Sequence, residues 1–80
     1  MTYRAYGEKG KAMRFDRTNG KAAKYMVSIY EGLIEDHYYY HYKKDAEGFF
    51  DKLLRTPRTK GTRMTIYDLQ KDKQIAFHMA

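Results

Sequence analysis

An α+β domain is what this sequence predicts: an antiparallel sheet of about five strands in β-β-β-α-β-β order, with one amphipathic helix packed on one face. Three observations carry that expectation. One segment repeats its apolar residues with the period of a helix, the other apolar segments alternate with period two, and the connections between them are short. The 80 residues form one continuous stretch without repeats or linkers, which suits a single small domain over 1–80.

The first strand is expected in "KAMRFDR" (11–17). A two-residue "NG" turn would put Met13 and Phe15 outward, whereas a three-residue "NGK" loop puts them inward against Val27 and Tyr25, and burial favours the three-residue loop. The second strand is "KYMVSIY" (24–30), with Tyr25, Val27 and Ile29 as its apolar stripe. The third is "DHYYYHYK" (36–43), entered through a "GLIE" loop (32–35) closed by Glu31 opposite Asp36. That register sets Ile29 against Tyr38, Val27 against Tyr40 and Tyr25 against Tyr42, which are favourable aromatic and branched pairs. Side chains alternate along a strand, so the run "HYYYHY" divides into two stripes. Tyr38, Tyr40 and Tyr42 face the core, and His37, Tyr39 and His41 face away.

The helix is expected over about 46–55 in "KKDAEGFFDKLLRTP". Asp45 offers a cap for the first-turn amides, and Ala46, Phe49, Phe50, Leu53 and Leu54 form one stripe. Glu47 sits near the positive end of the helix dipole, Lys52 and Arg55 near the negative end. Pro57 disfavours helix at Thr56 and ends the element. Gly48 costs about 1 kcal/mol relative to alanine, so this helix depends on packing. The last two strands are "TRMTIYDL" (62–69) and "QIAFHMA" (74–80). Met64 and Ile66 with Ile75, Phe77 and Met79 make their inward stripe, leaving Arg63, Thr65, Tyr67, Ala76 and His78 outside.

One helix covers one side of a sheet. The other side is expected to stay open and to collect Met26, Ser28, Tyr30, His37, Tyr39, His41, Arg63, Tyr67 and His78. Apart from Ser28, these are the candidate binding residues. The net charge of +6 is unevenly placed. Residues 1–24 carry seven basic and two acidic side chains, residues 25–51 two and six, and residues 52–63 five and none. Two cationic blocks flank an anionic middle, a pattern that draws polyanions at long range. Arg55, Arg58, Lys60 and Arg63 are the candidate phosphate contacts.

Several chemistries are excluded or weakly supported. The chain has no cysteine, so it has no disulfide and no thiolate ligand or nucleophile. The longest charge-free apolar runs fall far short of the roughly 18 residues of a membrane span. The N-terminus has no apolar signal core, so a cytoplasmic protein is expected. "GEKGK" (7–11) lacks the phosphate-loop spacing, and no nucleophile elbow, zinc-binding helix or calcium loop occurs. His37 and His41 on one strand stand about 13 Å apart, too far to share an ion. No metal and no cofactor is expected. In "YEGLIED" the carboxylates of Glu31, Glu35 and Asp36 cluster at a hairpin tip, where they are expected to be solvated charges, and Leu33 and Ile34 beside them either fold back on the core or form a small contact patch.

The expected function is that of a non-enzymatic binding module that takes nucleic acid on its basic, aromatic open face, where tyrosines stack on bases and cations follow phosphates. The alternative is a protein-interaction module, whether adaptor, inhibitor or homodimer, using the same face. A minor alternative is a small ribonuclease using His37, His41 or His78 with Arg63. The passage "YYYHYKKDAEGFFDKLL" resembles the third-strand-to-helix passage of the three-stranded-sheet DNA-binding domains of some mobile-element integrases. The additional C-terminal hairpin departs from that pattern, and no residue roles carry over.

Overall fold

The computed structural model describes residues 14–80. It contains β1 (Tyr25–Glu31), β2 (Ile34–Tyr40), α1 (Lys43–Leu54), β3 (Arg63–Asp68) and β4 (Lys73–Met79). Every strand pairing is antiparallel, and the spatial order is β2-β1-β3-β4. The class is α+β with an open antiparallel sheet, as expected, but the described order is β-β-α-β-β with four strands.

The strand expected at 11–17 is the difference. Residues 11–13, like "GEKGK", lie outside the described residues, and from Arg14 onward the chain makes one isolated bridge, Phe15 to Ala22. Phe15 is 52% exposed, so it does not join the core. A polar turn stands in place of a hairpin. Asp16 is buried, and its Oδ1 accepts the Thr18 N–H and hydroxyl while its Oδ2 accepts the Asn19 amide and the His41 N–H. An aspartate that bonds to its own backbone two residues on makes a turn locally, and here it competes with extension. The His41 bond then fastens this turn to the junction between β2 and α1.

The β1–β2 hairpin closes through Gly32 and Leu33, with Glu31 opposite Ile34, and not through the four residues expected. Gly32 has φ 61, the left-handed geometry that tight two-residue hairpins require at their first loop position. Every cross-strand pair therefore shifts by two residues: Val27 meets Tyr38 and Tyr25 meets Tyr40. A slip of one would exchange the faces, whereas a slip of two preserves them. Tyr38 and Tyr40 accordingly still face the helix, with ring centroids 4.7 and 5.8 Å from Phe49. Tyr42 does not continue their stripe, because β2 ends at Tyr40 and Tyr42 is the helix N-cap, 43% exposed.

The helix begins three residues earlier than the apparent cap implies. Tyr42 provides no side-chain cap, and Asp45 lies within the first turn near the positive dipole end. Ala46 and Leu53 are buried, Phe49 and Phe50 are half-buried against the core, and Leu54 at the stripe's edge is 41% exposed. The core proper is Val27, Ile29, Met64 and Ile66 from the two central strands with Ala46 and Leu53 from the helix.

The final hairpin corrects a second expectation. Met64 lies opposite His78, Ile66 opposite Ala76 and Thr65 opposite Phe77, and a bulge falls between Ile66 and Tyr67. Opposed residues share a face, so Phe77 and Met79 join the open side and His78 joins the helix side. Phe77 and Met79 are 51% and 54% exposed. The physical reason is coverage. The helix packs on β1, β2 and β3, so the outermost strand has little helix to meet, and Ala76 with the bulged Ile75 fills what space remains.

Candidate functional site

The open face is built from alternate residues of all four strands. Met26, Ser28 and Tyr30 of β1 lie opposite Tyr39, His37 and Glu35 of β2 on one side and Tyr67, Thr65 and Arg63 of β3 on the other. Met79, Phe77 and Gln74 of β4 continue the three rows outward. Six of the eight expected binding residues thus share one surface: Met26, Tyr30, His37, Tyr39, Arg63 and Tyr67. His41 and His78 do not. His41 lies beyond the end of β2, and its Nδ1 donates to the Ala22 carbonyl at 2.8 Å. His78 is on the opposite face, across from the buried Met64. Of the three histidines expected to work with Arg63 in a ribonuclease, His78 is therefore separated from Arg63 by the sheet itself.

A groove of about 400 Å³ runs along β1, β3 and β4. Tyr30 and Arg63 stand at one end, Met26, Tyr67 and Gln74 at the other, and Thr65 and Phe77 line the stretch between. The Arg63 guanidinium lies 5.2 Å from the Tyr30 ring centre, and the Arg14 guanidinium lies 5.3 Å from that of Tyr39. Both are cation–π contacts. They hold two cations over aromatic rings of the open face. Arg14, Phe77, Gln74 and Met79 are additions to the expected site residues. Arg14 falls in a segment whose alternation suggests a strand, and the outward turn of Phe77 and Met79 follows from a register that composition does not reveal.

His37 is held at both nitrogens. Its Nε2 is 2.7 Å from Glu35 Oε2 and its Nδ1 is 2.7 Å from Ser28 Oγ. A carboxylate only accepts, so Nε2 carries a proton toward Glu35, and Nδ1 shares a hydrogen bond with the Ser28 hydroxyl whose direction follows the tautomer. The order carboxylate, histidine, serine is that of a hydrolase relay. Ser28 is fully buried, however, so its oxygen cannot reach a substrate, and the three groups act as a cross-strand tie that fixes the imidazole edge against Tyr30, 6.0 Å away. Tyr67 is oriented by donating its hydroxyl to Asp72 Oδ1 at 2.7 Å, which also pushes its ionisation upward.

The four expected phosphate contacts separate. Arg63 is on the face. Arg55 pairs with Asp51 one helical turn back. Arg58 is partly buried and lies 3.7 Å from Glu31, whose carboxylate also accepts the Thr59 N–H and is held below its usual range by that bond first of all. Lys60 is exposed in the loop before β3 and has no side-chain partner among the described residues. At the hairpin tip Leu33 is 105% exposed and Ile34 58% exposed, so neither folds back onto the core. Among the described residues no three metal-ligating side chains converge, and no helix is long and apolar enough to cross a membrane.

The chain matches no protein-family model, no curated protein and no solved structure.

Proposed function

We propose that the chain is a non-enzymatic nucleic-acid-binding module that uses the open face of its sheet. The observation that carries this reading is the pair of arginine–tyrosine cation–π contacts, Arg14 over Tyr39 and Arg63 over Tyr30, which set two cations among aromatic rings on the side of the sheet away from the helix. Guanidinium groups held in this way present donors to phosphate with little further loss of freedom, while Tyr67 and Phe77 offer ring faces or edges to unstacked bases. Charge supports the choice of ligand. A face-to-face pairing of two copies, the homodimer version of the protein-interaction alternative, would enclose the Arg14 and Arg63 guanidinium groups of both copies in one interface, whereas a polyanion neutralises them.

A different feature favours a second, protein-directed contact. Leu33 and Ile34 project from a tip that also carries Glu31, Glu35 and Asp36, and that acidity repels phosphate, so a partner at the tip would be a protein.

The test is binding of single- and double-stranded DNA and RNA at two salt concentrations. Binding that weakens steeply with salt is expected, and Arg63→Gln should lower the slope of log K against log salt by about one unit for each phosphate it ceases to neutralise. Absence of binding at low salt, or a flat salt dependence, would remove this reading.

A further inference from the structure

We propose that β4 is a self-association edge, on which a second copy of this chain adds its own β4 antiparallel across a two-fold axis to make one continuous sheet. This inference stands independently of the nucleic-acid reading. The two edges of the sheet are treated very differently by the sequence. On the β2 edge, Glu35 and Asp36 place charges along the strand, and the Asp16 turn takes the His41 N–H where the strand ends. On the β4 edge, Gln74 to Ala80 is a run of seven residues without an acidic or basic side chain other than His78, and the strand contains no proline. Edge strands ordinarily carry charges, prolines or covering segments that block pairing with another chain. Here the β2 edge has two of these devices, and β4 has charge only at Lys73, its first residue.

The hydrogen-bond direction identifies which groups are available. Ala80 turns both its N–H and its C=O toward the β3 side, donating to Thr62 and accepting from Gly61 at 2.8 Å each. In an antiparallel ladder that direction alternates with every residue. His78 and Ala76 therefore also face β3, and Phe77 and Met79 turn their N–H and C=O groups to the open edge. A two-fold axis at Phe77 sets that residue against its own copy, where the two backbones exchange both hydrogen bonds and the rings lie side by side. The occupant is a second copy because the strand carries no charge at these positions to repel itself, and in this register the half-exposed Phe77 meets its own copy while the half-exposed Met79 falls opposite the partner's Ile75. The Arg14 guanidinium lies over Tyr39 of β2 and Phe15 bridges Ala22 beside it, so residues 14 and 15 meet the sheet at the edge opposite β4.

Sedimentation of the whole chain over a loading series tests this. The expected result is a dimer of twice 9.6 kDa that dissociates on dilution. Met79→Pro removes one outward N–H and leaves the β3 ladder intact, and Phe77→Lys adds the missing charge. Each should weaken the dimer at least about tenfold with an unchanged circular dichroism spectrum. Should either variant fail to fold, amide exchange of the unmodified chain provides the second readout: exchange at Phe77 and Met79 should slow as concentration rises. A chain that stays at 9.6 kDa into the millimolar range would overturn the proposal. So would a dimer that both folded variants retain, or concentration-independent exchange at these two amides.

Discussion

The two sides of this sheet are made by the same strands and differ at every alternate residue. On the helix side the central strands present Val27, Ile29, Met64 and Ile66, all between 0% and 5% exposed. On the other side the same strands present Met26, Ser28, Tyr30, Arg63, Thr65 and Tyr67, of which only Ser28 is fully buried. The buried side gains by excluding water from aliphatic surface, at roughly 25 cal/mol per Å². The open side uses side chains with an apolar body and a polar end, which pack on their neighbours and still meet solvent. The difference shows where the chain draws its stability and where it keeps surface available. A substitution on one side should therefore affect folding and on the other ligand binding, with little crossing over.

The largest expected effect comes from the helix side. Ile66→Ala should lower unfolding stability by about 2–4 kcal/mol, because the site lies under the helix and leaves a cavity. In a domain of this size, with total stability of only about 5 kcal/mol, that change should lower the thermal midpoint by roughly 10–30 °C. A drop below 1 kcal/mol in denaturant titration would break the contrast between the two sides.

Next comes the turn that joins the N-terminal segment to the β2–α1 junction. Asp16→Ala removes an acceptor shared by four donors and should cost about 1–3 kcal/mol. Its acid dependence has a definite sign. Burial would raise the Asp16 ionisation, but the Thr18 hydroxyl, the His41 and Thr18 N–H groups and the Asn19 amide together hold it below the ordinary value of 3.8. The folded pKa is depressed, so the stabilisation is present above 3.8 and fades as pH falls through the lower, folded value. Asp16→Asn should flatten that acid limb. An acid limb unchanged in the variant would show that other carboxylates produce it.

The smallest effect is expected at the hairpin tip. Leu33 is fully exposed, so Leu33→Ser should change stability by no more than about 0.5 kcal/mol. A larger change would mean that the tip packs on part of the chain outside residues 14–80.

Much of this contrast is legible from alternation alone. The faces of β1, β2 and β3 follow from their period-two patterns, and a difference of two residues in the hairpin register leaves them unchanged because faces repeat every second residue. The helix stripe from Ala46 to Leu53 is equally clear, although its start is not. Asp45 has the character of a cap, but β2 ends at Tyr40 and the chain has only His41 and Tyr42 to make the turn. The departures at β4 and at residues 14–17 have separate causes. Ile75, Phe77 and Met79 alternate as a core stripe should, and Phe15 sits in a strand-like run. A bulge beside Ile66 and the limited reach of one helix decide the first case, and the bonds of a buried aspartate decide the second. These are tertiary facts, and they take His78 off the candidate site while bringing Arg14 and Phe77 onto it.

The most direct test of the division between the two sides is to measure oligonucleotide affinity at low salt and unfolding stability on the same two variants. Tyr67→Ala should weaken affinity by about 1–3 kcal/mol if its ring stacks on a base, with stability changed by no more than about 1 kcal/mol. Val27→Ala should lower stability by about 1–3 kcal/mol and leave the affinity of the folded fraction unchanged. The opposite pattern, with Tyr67→Ala unfolding the chain or Val27→Ala selectively abolishing binding, would contradict the account.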